Sequence, residues 1–197
     1  MKEVQWKRLF YLLLAINGAV LVAFFIFFTL LFSSPTEEGR IPNKARNEND
    51  VYFQVKTNKQ DLNRVINHYL EEELSGKFDY ELILTDEVEL YGTLPVFSSE
   101  VEMKLTFEPH PLENGDIELE QKTMSIGRLS LPVTMVLKFI QNSYQVPDWV
   151  IIQPDEENIY ISLQNMKLKS DLDVRVNEFN LKKDDISFSL GVPMKEK

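Results

Sequence analysis

An apolar run without a single charge, Leu9 to Phe32 (LFYLLLAINGAVLVAFFIFFTLLF), constrains this chain more than any other feature. About 24 residues at 1.5 Å each span the roughly 30 Å hydrocarbon core of a bilayer. Only Asn17 and Gly18 interrupt it. Burying such a helix inside protein would require apolar partners on every side, and the rest of a 197-residue chain is too small to supply them. A cleaved signal peptide has a shorter apolar stretch, of about 7 to 15 residues, with small residues at its cleavage site. The run is therefore expected to stay as a transmembrane anchor. Lys7 and Arg8 abut it on the amino side, whereas Arg40, Lys44 and Arg46 come only after SSPTEEG. The positive-inside bias then places residues 1–8 in the cytoplasm and the remainder outside the membrane. Asn17 is read as a tolerated or weakly helix-pairing amide.

Residues 33–50 (SSPTEEGRIPNKARNEND) combine two prolines, a glycine and mixed charge with almost no apolar side chains, so they are expected to form a flexible linker. A linker of about 18 residues reaches about 25 Å, which keeps residues 51–197 close to the lipid headgroups. That remainder suits one domain with a real core, needing no disulfide or metal staple. There is no cysteine to make one. Formal net charge is −10, and the segment before the anchor is itself basic. The acidic remainder has no basic run interleaved with aromatics, so nucleic acid is excluded as a partner.

Within 51–197 the hydrophobic period changes twice. Thr57-Asn58-Lys59-Gln60 reads as a capping box. Leu62, Val65, Ile66, Tyr69, Leu70 and Leu74 follow at helical spacing until Ser75-Gly76 stops the pattern. Alternation of period two then marks strands through Phe78, Tyr80, Leu82 and Leu84, through Val88, Leu90 and Leu94, and through Val101, Met103, Leu105 and Phe107. Glu113-Asn114-Gly115-Asp116 supplies a hairpin turn, because Asn-Gly tolerates positive φ, and the returning strand runs from Ile117 to about Ile126. Pro132 opens a second helix carrying Val133, Met135, Val136, Phe139 and Ile140. Strands return at 149–152, 158–163, 171–176 and 186–192. The expected class is α+β, with one long, bent, mainly antiparallel sheet packed on two helices.

Motifs of catalysis are missing from this pattern. His68 and His110 occur in no zinc-like spacing, and there is no GxSxG elbow, phosphate loop or dinucleotide fingerprint. No enzymatic activity, metal or cofactor is expected. Asp155-Glu156-Glu157 and Asp184-Asp185 read as solvated turns rather than a calcium loop, which needs alternating ligands.

The segments WKRLFYLLLAIN, FQV, FDYELIL, LPVFSSEVEM, NGDIELE and IGRLSLPVTMVLKFI resemble the YpmS family across nearly the whole chain. The resemblance implies a membrane-anchored envelope protein of Gram-positive bacteria, inserted amino end in. More distantly, the order of elements is similar to tubular lipid-binding (TULIP-like) domains, where a bent sheet wraps a long helix and encloses a lipid channel. That is an analogy of architecture, and fold alone does not license function.

The anchor and these resemblances together lead to the expectation of a non-enzymatic module binding a lipid or other hydrophobic envelope ligand between the first helix and the sheet. Leu62, Ile66 and Tyr69 would line one wall. Leu82, Leu90, Met103, Leu105, Phe107 and Leu119 would line the other, with Val136 and Phe139 from the second helix. The alternative is an interaction domain with a solid core that holds an envelope enzyme or assembly partner near the membrane.

Overall fold

The Asn-Gly turn joins the two longest strands, and their length follows from unbroken alternation on either side of it. The computed structural model describes residues 10–23, 26, 50–73, 80–96, 99–144, 146–166, 168 and 172–194. Strands β1 (Val51–Thr57), β2 (Glu81–Leu84), β3 (Val88–Val96), β4 (Ser99–Pro111), β5 (Ile117–Ile126), β6 (Val150–Gln153), β7 (Asn158–Ile161), β8 (Asp173–Asn180) and β9 (Asp185–Val192) accompany helices α1 (10–23), α2 (Lys59–Glu73) and α3 (Val133–Ser143). The class is α+β with antiparallel pairing throughout.

The chain divides into two compact units, residues 1–39 and 40–197. In the first, α1 leaves Phe10, Tyr11, Leu12, Leu13, Leu14, Ile16, Val20, Leu21 and Val22 each more than half exposed. Asn17 satisfies its own amide by donating Nδ2 to the Leu13 carbonyl at 3.0 Å. Among the described residues no helix is long and apolar enough to cross a membrane, which says nothing of membrane-spanning strands. The expected tail 1–8, the flanks of the expected anchor at 9, 24, 25 and 27–32, and the linker up to residue 49 lie outside the described residues. So do Leu74, Ser75-Gly76 and Phe78.

In the second unit the single bent sheet expected from the sequence is two sheets. One has the order β1-β9-β8, the other β2-β3-β4-β5-β7-β6. Their junction is the Asn114-Gly115 turn, whose backbone lies against β8: Val176 donates its N–H to the Gly115 carbonyl at 2.8 Å, and Arg175 Nη1 donates to the Asn114 carbonyl at 3.0 Å. Gly115, at φ +90°, is required twice over, by its left-handed backbone and because a Cβ there would sit 2.6 Å from Arg175 Cβ.

The cap of α2 falls one residue later than Thr57. Asn58 accepts the Asp61 N–H at 2.8 Å and donates back to the Asp61 carboxylate at 2.9 Å, while Asp184 in the β8–β9 turn accepts the Lys59 N–H at 2.6 Å. Two of the helix's four orphan donors are thereby satisfied. On α3 the buried stripe is Val136, Leu137 and Ile140, with Pro132 as the N-cap, so Met135 faces outward.

Candidate functional site

Periodicity chose the candidate lining residues, and the structure brings most of them into one packed cluster. Leu105, Phe107 and Val136 are 0%, 1% and 1% exposed, and Met103 and Leu119 are buried with them. Leu62, Ile66, Leu82, Leu90 and Phe139 pack half-buried against that cluster. Tyr69 sets its ring 6.0 Å from Trp149, and Phe139 meets Tyr144 edge-on at 6.2 Å. The candidate side chains other than Tyr69 thus belong to the buried cluster or pack against it. Val65, which shares the helical stripe, points outward at 64% exposure.

Helix α2 takes this position because two of its polar side chains cover the edge of the larger sheet. Asn63 donates Nδ2 to the Leu84 carbonyl at 3.0 Å and accepts the Leu84 N–H at 2.7 Å; Asn67 donates to the Leu82 carbonyl at 3.1 Å. An edge strand whose backbone is answered in this way is closed to further pairing.

The smaller sheet is different. On one face of it Val51, Phe53 and Val55 of β1 stand opposite Val192, Leu190 and Phe188 of β9, and Leu190 and Phe188 stand opposite Val174 and Val176 of β8. Burial falls steadily across that face. Val174 and Val176 are buried, Phe188, Leu190 and Val192 are half-buried, and Val51, Phe53 and Val55 are 42%, 57% and 41% exposed. An apolar face thus begins inside the core and emerges at an edge strand. Three aligned, exposed apolar side chains form one contiguous patch, unlike scattered single residues. These three residues were not singled out by sequence reasoning. Their alternation with Tyr52, Gln54 and Lys56 was the available signal, but alternation alone reads as core.

A buried polar node ties the β4–β5 turn to β7 and to the segment that follows it. Asp116 is fully buried and accepts hydrogen bonds from the Tyr160 hydroxyl, Asn114 Nδ2 (3.1 Å), the Gln164 N–H (3.3 Å) and Gln164 Nε2 (3.1 Å). Burial, and after it the hydrogen bond to Asp116, pushes the Tyr160 phenol up to about 12. With every contact a fixed donor and no opening to solvent, the node is built to join strands rather than to transfer protons. Among the described residues no group of three or more His, Asp or Glu side chains is placed to hold a metal ion.

The sequence matches the family DUF2140, described as an uncharacterized protein conserved in bacteria, over residues 4–192. It is also similar to the uncharacterized protein YpmS of Bacillus subtilis (strain 168), with 36% identity over 189 residues that cover 96% of this chain and 98% of that protein. No solved structure matches.

Proposed function

The chain belongs to the YpmS-like DUF2140 family of bacterial proteins, and on that premise we propose that it is a membrane-anchored, non-enzymatic module, facing outward from the cytoplasmic membrane, that holds a lipid or other hydrophobic envelope ligand against the open apolar face of β1 and β9. The observation that carries this reading is the exposure of Val51, Phe53 and Val55 at one end of a face whose other end, at Val174 and Val176, is core. An acyl chain laid there gains about 0.8 kcal/mol per buried methylene. The face lies on the first strand of the folded unit, and the uncharged run Leu9–Phe32 precedes it by fewer than 20 residues, so the anchor would hold it near its ligand. The ligand would therefore sit at the β1 edge rather than between α2 and the larger sheet, where the side chains are already packed.

A second reading has its own observation. β1 stands at the end of the order β1-β9-β8 among the described residues, so an extended segment of an envelope protein would add beside it as a further strand, over the same apolar side chains. Native mass spectrometry of residues 40–197, prepared without detergent, separates the two. The lipid reading expects a stoichiometric lipid adduct that disappears in Phe53→Glu; repeated recovery of bare protein from wild-type cells would overturn it.

A further inference from the structure

A second surface, on the larger sheet and away from β1, has a different chemistry. Strand register places Glu81, Tyr91, Lys104 and Ser125 in one row across β2, β3, β4 and β5, with Thr93 and Glu102 paired in the next. With Tyr80, Gly92, Met103 and Gly127 these residues line an open trough of about 770 Å³. That volume lies within the range of small-molecule sites, roughly 300 to 1,000 Å³. Gly92 and Met103 contribute backbone to it, since their side-chain positions lie on the opposite face of the sheet, with Leu90, Leu94 and Leu105.

The rim is held in place before any ligand arrives. Lys104 Nζ lies 2.9 Å from Glu89 Oε2 and 5.1 Å from the centre of the Tyr91 ring, and the Tyr91 hydroxyl donates to the same carboxylate. Hydrogen bonds from Tyr91 and then Lys104 hold the Glu89 carboxyl below its usual range, so it stays ionised. At the trough's end the Tyr144 hydroxyl donates to the Thr93 carbonyl, and its ring meets Tyr80 edge-on at 6.5 Å.

We propose that this trough binds an uncharged, hydroxyl-rich ligand, a short glycan segment, laid across β2 to β5. Glu81 and Glu102 accept hydrogen bonds from sugar hydroxyls, Thr93 and Ser125 donate or accept, and the tyrosine rings offer flat apolar faces to the C–H side of a sugar ring. An acyl chain finds too many polar groups here. Among the described residues that line it an anionic ligand finds one cation, Lys104, already paired, beside two further carboxylates. This site is independent of the apolar face on β1, and either can fail without the other.

The test is isothermal titration calorimetry on the full chain, in a detergent without a sugar headgroup, with chitotetraose, maltotetraose, glycerol 3-phosphate and spermidine as probes. At least one of the two tetrasaccharides binds, Tyr91→Ala and the exposed-site variant Glu102→Gln each weaken it roughly tenfold, and Phe53→Glu leaves it unchanged. Glu102→Gln serves if Tyr91→Ala does not fold. No heat from either saccharide up to about 10 mM, binding that survives both trough variants, or tighter binding of glycerol 3-phosphate or spermidine than of any saccharide would overturn the assignment.

Discussion

Asn63 grips the backbone of Leu84 with both ends of its side-chain amide, donating to the carbonyl at 3.0 Å and accepting the N–H at 2.7 Å. A helix side chain thus does what a neighbouring strand would do, on the strand that ends the larger sheet. Asn63→Ala leaves a donor and an acceptor of a buried residue unanswered, and is expected to cost about 2 kcal/mol. Asn67→Ala, which removes a single bond to Leu82, is expected to cost about half as much. Urea unfolding of residues 40–197 measures both. Equal, negligible effects would show that the edge does not depend on the helix.

Gly115→Ala probes the joint between the sheets. The new Cβ would fall 2.6 Å from Arg175 Cβ, on a backbone with φ +90°. Both penalties apply at once, and a loss of about 3 kcal/mol is expected, seen as a lowered thermal midpoint. An unchanged midpoint would mean that the turn and β8 separate easily.

Alkaline unfolding reports on the buried node. The Tyr160 phenol, raised by burial and then by Asp116, titrates at about 12 in the folded chain and at about 10 when unfolded. Between those values only the unfolded state has released the proton. Stability present below pH 10 is therefore lost as pH rises toward 12. In Tyr160→Phe this decline should be shallower, with the remainder coming from Tyr80 and Tyr144, which burial also raises. Identical pH profiles would remove Tyr160 from the account.

Two phenylalanines on strands of the same domain should behave in opposite ways. Phe107 is 1% exposed within the packed cluster, and Phe107→Ala is expected to cost about 3 to 5 kcal/mol. Phe53 is 57% exposed, and Phe53→Glu is expected to change stability by less than about 0.5 kcal/mol. Chemical denaturation of both variants tests the distinction between core and open face. A large loss at Phe53 would make β1 part of the core.

Much of this fold was legible because local chemistry decided it. Asn114-Gly115 made the hairpin, the returning strand runs over Ile117–Ile126 as the alternation indicated, and Pro132 set the start of α3. The cap of α2 shifted from Thr57 to Asn58 because Asp61, rather than Gln60, stands at the reciprocal position. The division into two sheets was not legible, since it depends on Gly115 and Asn114 meeting residues about 60 positions away on β8. The same limit applied to the candidate site. A period of two says that Leu105 and Phe107 share a face with Leu90 and Met103, but not that Val136, Leu137 and Ile140 of α3 join them in one buried cluster. Nor does it say that Val51, Phe53 and Val55, with the same alternation, lie on an uncovered edge.

The open face at β1 is tested most directly by placing a photoreactive benzophenone side chain at position 53 of the full chain in cells grown with radiolabelled acetate, with position 107 as the buried control. Illumination should transfer lipid label to the chain from position 53 and not from position 107. Label at neither position, with position 53 instead joined to a single protein, would contradict a lipid-binding role and leave β1 as the docking edge for that partner.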